Sequence, residues 1–392
     1  AQVHHEVFLT NTDHELHVYR VYGDEPGNTI MIIGGIQGDE PSGYMTADLY
    51  ADIHLQKGNL IVVPRANFYS ILLRARNGQS GDMNRKFHDE KTKGKKGFDD
   101  EIVSILKKLI SESDCLLNLH EGSGYFSPVY INEMENPNRY GQSIIFDTEE
   151  YVPPGGSPIK LGEIARNVAG RVNTRLKKKR YHFKVSNHKT FSDETKHKEQ
   201  RRSATFYAIS TANIPAFGIE ISKMIKSLET KVRLHKLVVN AMMEEFDIVA
   251  DPPAIATEEP KLRYLLVKVN DNYPLALKDG EELELTPGDN VTITDIIANY
   301  DRGLVADVEH FGTNNDARLP FRFSRPSRVL VRKDSLLCGW VNLALKPGSK
   351  LTKVSQASKA SKATKTGKGS KVSKAVPSAP RKKAIPLGEL MA

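Results

Sequence analysis

The stretch that decides the fold reads TIMIIGGIQGDE and covers residues 29–40. Its first half is a continuous apolar run of strand length, and its second half is a Gly-rich turn that ends in two acidic residues. An apolar run without alternation is typical of a strand that is covered on both faces. Ligands bind at the ends of such strands, so the turn is the first place to look for a site.

Outward from this stretch, strand-like and helix-like patterns alternate over the first 250 residues. Strands are predicted where short apolar runs occur, at residues 17–22, 29–36, 60–64, 115–119 and 216–221. Helices are predicted where apolar residues recur at helical spacing, at residues 41–53, 99–111, 159–177 and 228–246. The alternation predicts an α/β fold whose largely parallel or mixed sheet is flanked by helices.

The pattern changes at the sequence DPPA, residues 251–254, after which short β runs are separated by turn signals. From about residue 351 the chain is rich in Lys, Ser, Ala and Thr and cannot bury enough apolar surface to order itself. We therefore predict an α/β domain at 1–255, a small all-β region at 256–346 and a disordered basic tail at 347–392.

The net charge of +8 is concentrated in the tail, which from Lys346 onward holds twelve basic residues and one acid. The remainder, with 44 basic and 47 acidic residues, has a net charge of −3. The tail has no aromatic residue for base stacking, so we do not expect nucleic-acid binding. Its lysines are expected either to adhere to anionic envelope polymers or to serve as a solubilising linker.

Several features bear on the cellular compartment. No apolar run approaches the ~18 residues of a membrane span, so none is predicted. The chain starts with Ala1 rather than Met, which suggests either a removed leader or a trimmed N-terminus, and we expect export. Cys115 and Cys338 lie in apolar runs, so buried free thiols are expected, and a disulfide between them is left open.

The Gly-rich turn offers two oxygen ligands for a metal ion, the carboxylate of Glu40 and the amide of Gln37. Another predicted buried strand ends at His120 and runs into a second Gly-rich turn. Imidazole and carboxylate are natural zinc ligands. Taken singly, each motif has a more ordinary interpretation: glycines that form a turn, an acid at a helix N-terminus, and a hydrogen-bonded structural histidine.

Two further motifs carry charged groups. Asn84 and Arg85, with Arg74 and Arg76 upstream, offer donors that suit a substrate carboxylate, although most arginines are simply solvated. Glu220 lies between two apolar residues of a predicted strand, where a carboxylate is costly unless it is paired or near a metal.

In order and spacing, these motifs resemble the zinc carboxypeptidase superfamily over residues 1–250. That pattern has His-x-x-Glu after a strand, Asn-Arg some tens of residues later, a His at a further strand end, and a Glu general base about a hundred residues beyond. Its positions fall here on Gln37, Glu40, Asn84, Arg85, His120 and Glu220.

Gln37 departs from the usual His and resembles a narrower group, the peptidoglycan D,L-carboxypeptidases that determine helical cell shape. The sequences LHEGSG (119–124) and NRYGQS (138–143), and Lys223 three residues after Glu220, also fit that group. The resemblance implies a periplasmic enzyme with one Zn²⁺ per chain that removes meso-diaminopimelate from muramyl tripeptides to leave dipeptides. Because an amide oxygen is a poorer zinc ligand than imidazole, we predict weaker metal retention than at a His-Glu-His site.

The resemblance also implies a role for each site residue. The predicted metal ligands are Gln37, Glu40 and His120. The predicted catalytic residues are Glu220 as general base and Arg76, with Arg74 as second choice, at the oxyanion. The predicted substrate-binding residues are Asn84 and Arg85 for the terminal carboxylate, Tyr140 and Lys223 for the remaining polar ends of diaminopimelate, and Arg74.

Two alternatives stay open. The first is a deacylase of the aspartoacylase or succinylglutamate desuccinylase type, which usually keeps His at the first ligand position, so Gln37 counts against it. The second is a peptide-binding module without catalysis. Glu220 counts against that interpretation, because a buried acid without a function is expensive.

Overall fold

The computed structural model describes residues 2–88, 97–255, 258–313 and 318–346. Two compact units are present. The first comprises Ala1–Lys261, Tyr300–Val305 and Arg332–Cys338, and the second comprises Leu262–Asn299, Ala306–Val331 and Gly339–Ala392. The predicted domain boundaries stay a prediction, and the predicted tail at 347–392 lies outside the described residues.

The first unit is built on one mixed sheet. The strands of this sheet are β1 (Gln2–Phe8), β2 (Leu16–Tyr22), β3 (Glu25–Ile33), β4 (Leu55–Val63), β5 (Cys115–Gly122), β8 (Ser143–Phe146), β9 (Lys184–Asn187), β10 (Ala216–Ser222) and β11 (Val249–Ala250). Two short strands, β6 (Tyr125–Phe126) and β7 (Glu135–Asn136), form a separate pair. The sheet order is β1-β2-β4-β3-β5-β10-β8-β9, with β11 beside β4. The central strands β4, β3, β5 and β10 run parallel, and β8 runs antiparallel to β10.

Helices cover both faces of this sheet. They are α1 (Pro41–Asp48), α2 (Phe68–Leu72), α3 (Phe98–Ser111), α4 (Leu161–Thr174), α5 (Ala204–Ser210) and α6 (Leu228–Glu245), with 3₁₀ turns at Met83–Arg85, Lys179–Tyr181 and Lys198–Arg202. Ile30 and Ile32 of β3 pack in one core cluster with α1, α4 and α6, and the alternate residues Met31 and Ile33 pack in a second cluster with α3 and α5. The predicted α/β class with a mixed, two-sided sheet is therefore confirmed.

Glycines allow the turn after β3 to fold tightly beside β5. A Cβ at Gly38 would lie 2.1 Å from the backbone of Ser70, and a Cβ at Gly43 would lie 2.6 Å from the carbonyl oxygen of Leu119. Any other residue at either position would push the turn or α1 away from the neighbouring backbone. The glycines of this stretch thus bring the end of β3 next to β5.

The C-terminal strands form two four-stranded sheets within the described residues. They are β12 (Leu262–Val269), β13 (Leu275–Leu277), β14 (Glu282–Leu285), β15 (Asn290–Ala298), β16 (Leu304–Val308), β17 (Phe321–Arg322), β18 (Ser327–Lys333) and β19 (Leu336–Leu345). The orders are β13-β12-β15-β17 and β14-β19-β18-β16. The predicted β-rich C-terminal region is confirmed.

Two smaller expectations can also be compared with the described residues. Cys115 and Cys338 are both buried free thiols. Among the helices that the structure describes, none is long and apolar enough to cross a membrane.

Candidate active site

The turn after β3 delivers two polar side chains to the carboxyl edge of the sheet. Gln37 and Glu40 are 2% and 3% exposed, although both are polar. Glu40 occupies the N-cap position of α1 but makes no side-chain capping hydrogen bond, so its carboxylate is free for other contacts. Capping, the ordinary interpretation of this acid, therefore does not account for its burial.

His120 and Glu220 stand side by side on adjacent parallel strands. Glu220 of β10 is paired in register with His120 of β5, so both side chains project from the same face of the sheet. The Oε2 atom of Glu220 is buried and has no hydrogen-bond partner within the described part of the chain. Gly122 makes room for it, because a Cβ there would lie 2.7 Å from Oε2.

Glu40 and His120 form a buried pair. The Nδ1 atom of His120 lies 2.8 Å from Oε2 of Glu40, and the same oxygen accepts a hydrogen bond from the backbone N–H of Glu121 at 3.1 Å. Burial lowers the pKa of His120, but the charge and hydrogen bond of Glu40 outweigh it and leave that pKa raised. An imidazole and a carboxylate thus meet in a site shielded from water.

Glu220 has the titration behaviour expected of a general base. Burial raises the pKa of its carboxyl group to about 7, against the lowering effect of nearby His120. A carboxylate with a pKa near the working pH can both accept and return a proton. Structural ion pairs also shift pKa values, but Glu220 has an unpartnered oxygen rather than an ion-pair partner within the described residues.

Asp82 holds Gln37 and Arg76 in place. The amide nitrogen of Gln37 donates to both carboxylate oxygens of Asp82 at 3.0 Å, and Arg76 donates to Asp82 Oδ2 at 3.0 Å. Burial raises the pKa of Asp82, but the hydrogen bond from Gln37 and the charges of Arg76 and Arg85 outweigh it and lower that pKa. With its nitrogen held by Asp82, the Gln37 amide has its oxygen left for a cation.

Asn84 connects the 3₁₀ turn Met83–Arg85 to the histidine. Its Nδ2 atom lies 3.5 Å from Nε2 of His120, and its Oδ1 atom accepts from the backbone N–H of Ala204 at 3.0 Å. Arg85 lines the same cavity and donates to the carbonyl of Asn84 at 2.9 Å. The predicted Asn-Arg pair therefore lies beside the predicted metal ligands.

The other predicted site residues divide into two groups. Arg76, Tyr140 and Lys223 line the cavity, and Lys223 donates to Asp39 at 2.6 Å and lies 3.9 Å from Glu40. Arg74 does not line it, and its guanidinium donates instead to the carbonyl of Ser335 at 3.1 Å. The geometry thus separates Arg74 from the nine other predicted residues, and its substrate role stays a prediction without structural support.

The donor set fits a zinc ion. Carboxylate and imidazole are natural zinc ligands, and the Glu40–His120 pair brings one of each together in a buried place. Within the described residues no cluster of three His, Cys, Asp or Glu side chains could hold a metal. The third predicted ligand here is Gln37, a residue type outside that set.

Sequence reasoning missed four polar residues around the site. Asp82 stands out in the sequence only as a neighbour of Asn84. Glu121 accepts from the backbone N–H of Ser42 at 2.8 Å and pairs with Lys231 at 2.5 Å, and Asn118 and His188 line the cavity. In the sequence, Glu121 could have been noticed as the acidic residue that directly follows the predicted ligand His120. No comparable signal in the sequence pointed to Asn118. Because β5 is buried on both faces, its residues do not alternate between polar and apolar, and the pattern does not show which face Asn118 occupies.

Gln37, Glu40, His120 and Glu220 line one cavity of about 670 Å³, on the side of the sheet that carries α5. A volume of this order accommodates a small-molecule or short-peptide ligand. The fold, a mixed sheet with this cavity at the carboxyl edge of its central strands, is carboxypeptidase-like.

The chain belongs to the family described as the carboxypeptidase controlling helical cell shape, whose catalytic-domain model matches residues 8–251. It is therefore a peptidase of the cell-shape carboxypeptidase family. No curated protein gives a significant match.

Two solved structures share the fold. Apo Csd4, a cell shape determinant protein from Helicobacter pylori, is 21% identical, with a TM-score of 0.54 over 84% of this chain and 100% of the Csd4 chain. The mDAP-bound form of Csd4, named as a D,L-carboxypeptidase, is also 21% identical, with a TM-score of 0.52 over 82% of this chain and 97% of that one.

Proposed function

We propose that this peptidase is a zinc-dependent D,L-carboxypeptidase that removes the terminal meso-diaminopimelate from peptidoglycan tripeptides and leaves dipeptides. The observation that carries the proposal is the unpartnered Glu220 carboxylate oxygen beside the Glu40–His120 pair. Family membership supports it, and so does the solved structure of Csd4 with mDAP bound.

Glu220 acts as general base and then as general acid. Its carboxylate accepts a proton from the attacking water and afterwards delivers it to the leaving amine. A pKa of about 7, raised by burial, suits both transfers.

Cationic and amide side chains around the Glu40–His120 pair account for cleavage at the C-terminal residue of the substrate. Arg85, together with Asn84, binds the terminal carboxylate of the substrate, for which the planar guanidinium is suited. Arg76 lies 3.8 Å from Glu40 and is half exposed to the cavity, where it stabilises negative charge on the carbonyl oxygen. Lys223 and Tyr140 stay available for the other polar groups of the substrate.

Gln37, Glu40 and His120 would hold the zinc. When bound, zinc supplies Lewis-acid polarisation of the scissile carbonyl and a lowered pKa for water. Asp82 keeps the Gln37 amide oriented for this role. Retention should be weaker than at a site with two histidines, since the amide oxygen is the poorer ligand.

The proposed substrate places the enzyme in the bacterial envelope, so we propose a periplasmic location. Peptidoglycan peptides are its partners under this proposal. Attachment of the basic tail to anionic polymers stays a prediction, since residues 347–392 lie outside the described residues.

The direct test is to incubate the zinc-supplemented protein with purified muropeptides and to identify the products by mass. Release of meso-diaminopimelate from tripeptides is expected for the unchanged protein and not for Glu220→Gln, which keeps the side-chain shape but cannot accept the proton. Glu163→Gln, an exposed substitution on α4, serves as the matched control and should retain activity.

Intact muropeptides from a folded, zinc-containing protein would overturn the peptidoglycan assignment. Hydrolysis of N-acyl amino acids by the same preparation would then favour the deacylase alternative. Inactivity on both substrate classes, combined with peptide binding, would favour the binding module.

A further inference from the structure

The two outer strands of the nine-stranded sheet differ in how they are protected from pairing with another chain. Short length, lysine, proline and bulges are the devices that natural edge strands use for this purpose. β9, at one end of the sheet, has four residues and begins with Lys184. β1, at the other end, has seven residues, QVHHEVF, without lysine or proline, and it pairs with β2 from Gln2 to Phe8 without a bulge. β9 therefore carries two of these devices, and β1 carries none.

The outer side of β1 is open to solvent. Five of its seven residues are exposed, and among them are two apolar residues, Val3 at 41% and Val7 at 37%. Among the strands that the structure describes, only β2 pairs with β1. One row of backbone N–H and C=O groups of β1 thus faces away from the sheet. Such a row is a template on which a further strand can pair.

The sequence of β1 is complementary to itself when two copies of it run antiparallel. With a two-fold axis at His5, residue 3 stands opposite residue 7 of the second copy, residue 4 opposite residue 6, and residue 5 opposite itself. Val3 then faces Val7, and His4 faces Glu6, and each of these pairs occurs twice. Opposite residues of antiparallel strands have their Cβ atoms about 4.5 to 5.5 Å apart. Apolar side chains would therefore meet each other, and imidazole N–H groups would meet carboxylates.

Contacts within the chain hold the side chains of β1 in positions that suit this pairing. Glu6 accepts a hydrogen bond from Arg20 of β2 at 2.9 Å, and a carboxylate has room for a further donor. His5 stacks on Tyr19 with the ring centroids 4.3 Å apart. Burial and the nearby His17 lower the pKa of His5, so two copies of this side chain can meet at the axis without charge repulsion.

A second copy of this chain fits the open edge better than an unrelated strand does. Each hydrogen-bonded residue pair of an antiparallel ladder makes two N–H···O bonds, so a strand of this length adds roughly six to eight of them. Any extended segment could form these backbone bonds. The side chains decide between the candidates, because a second β1 supplies a valine opposite each valine and a carboxylate opposite His4 at the same time.

We propose that β1 is a self-association surface on which two copies of this chain pair antiparallel, about a two-fold axis at His5, and join their sheets into one. The inference does not depend on the proposed function. No residue of β1 lines the active-site cavity, and three strands, β2, β4 and β3, separate β1 from β5 in the sheet. Pairing along β1 therefore leaves the cavity-lining strands uncovered, and substitutions in β1 should not change the rate of catalysis.

The first test is sedimentation equilibrium of the full chain. The unchanged protein should shift from monomer to dimer between about 1 and 100 µM, the range of a small interface. Val3→Lys should weaken the dimer about tenfold or more, because a lysine on an edge strand opposes pairing. The matched control is Val249→Lys on β11, at 42% exposure, which should dimerise like the unchanged protein. An unchanged protein that stays monomeric, or a Val3→Lys dimer of full strength, would overturn the proposal.

The second test exchanges the polar pair. His4→Glu places a carboxylate opposite Glu6 of the second copy and should weaken the dimer about tenfold, because like charges directly opposite each other repel. The double variant His4→Glu with Glu6→His restores the pair in reversed positions and should dimerise like the unchanged protein. Arg20 is paired in register with residue 4, so the acid of the double variant keeps this arginine as a neighbour. A double variant as weak as His4→Glu alone would contradict the antiparallel register.

The third test traps the register with cysteines, since Cys115 and Cys338 are buried. A mixture of Val3→Cys and Val7→Cys proteins should form a disulfide-linked dimer under mild oxidation, because opposite Cα atoms lie within disulfide range. Neither variant should cross-link by itself, since like positions would be about 13 Å apart along the strands. Non-reducing gel electrophoresis gives the cross-linked fraction. A mixture that cross-links no more than the separate variants do would show that β1 is not the surface on which two copies pair.

Discussion

The two faces of β5 and β10 differ in what they contribute to the protein. On one face, Leu117 and Leu119 of β5 and Ile219 of β10 pack in the core with α1, α4 and α6. On the other face, at the same depth in the sheet, stand Asn118, His120, Gly218 and Glu220. Both faces are buried, yet one consists of packed aliphatic side chains and the other of polar groups around a cavity.

Residues on the apolar face therefore stabilise the fold, and residues on the other face form the candidate active site. Packed aliphatic side chains contribute about 1.5 to 3 kcal/mol each to folding. Unpaired buried polar groups cost roughly 1 to 3 kcal/mol each. The apolar face therefore offsets the cost of the cavity face, and substitutions on the two faces should have opposite signatures.

The largest expected effect is on the cavity face. Glu220→Gln should lower the rate of diaminopimelate release about 10³-fold or more, because the proton acceptor is lost. The melting temperature should not fall, since the neutral amide is easier to bury. Steady-state kinetics and thermal unfolding together check both parts.

The matched variant for that experiment is Ile219→Val, one residue away on the apolar face. It should cost about 1 kcal/mol in unfolding free energy and leave the rate constant of the folded enzyme unchanged. If Ile219→Val lowered the rate as much as Glu220→Gln does, the interpretation that only the cavity face contributes to catalysis would be wrong.

The next effect is on stability. Leu119→Ala should lower the free energy of unfolding by about 2 to 5 kcal/mol, because the residue is 1% exposed and the helices around it cannot fully close the gap. Denaturant unfolding measures this. The exposed Leu73→Ala substitution, at 40% exposure, should cost much less. Equal losses would show that the apolar face is not the stabilising one.

The third prediction concerns pH and the strand β8, which flanks the cavity. Burial raises the pKa of Asp147, the residue directly after β8, from 3.8 to about 6, although Thr190 donates a hydrogen bond to it. The folded protein thus holds this proton more tightly than the unfolded chain does. The free energy of unfolding should be highest below about pH 4, fall as pH rises to about 6, and be level above that.

Asp147→Asn should remove this slope, so that at pH 7 the variant is more stable than the unchanged protein by about 1 to 3 kcal/mol. Urea unfolding across the pH range provides the measurement. Asp193→Asn, whose side chain is fully exposed, is the control and should keep the slope. If the unfolding free energy of Asp147→Asn still fell between about pH 4 and 6, groups other than Asp147 would be responsible and the prediction would be wrong.

The smallest effect concerns the metal ligands on the cavity side. Gln37→His should increase zinc retention about tenfold, since imidazole is the better ligand. Zinc content after dialysis against a graded series of chelator concentrations measures it. Arg74→Gln, outside the cavity, should retain zinc like the unchanged protein. Weaker retention in Gln37→His would indicate that the Asp82 hydrogen bonds matter more than the ligand type.

Much of the fold was predictable because the relevant signals are local. Helical spacing at residues 99–111 became α3, Phe98–Ser111, and the apolar run at 115–119 became the start of β5. The strands β1, β8 and β9 were not predicted. β8 is only four residues long, too short for its pattern to stand out.

The candidate site was predictable in part. Turns after buried strands pointed to Glu40 and His120, and the structure places them 2.8 Å apart. The sequence ranked Arg76 ahead of Arg74 at the oxyanion but also predicted Arg74 as a substrate-binding residue. A backbone φ of +50° at Arg74 and the carbonyl of Ser335, more than 250 residues away in sequence, decide where that side chain goes.

The sequence by itself determined the alternation of strands and helices and the set of polar residues at strand ends, because both depend on neighbours within a few positions. Only the tertiary structure decided which face Asn118 occupies and that Asp82 orients Gln37. Those facts depend on register and packing between β5, β10 and β8, and residues far apart in sequence meet there through contacts that local patterns do not encode.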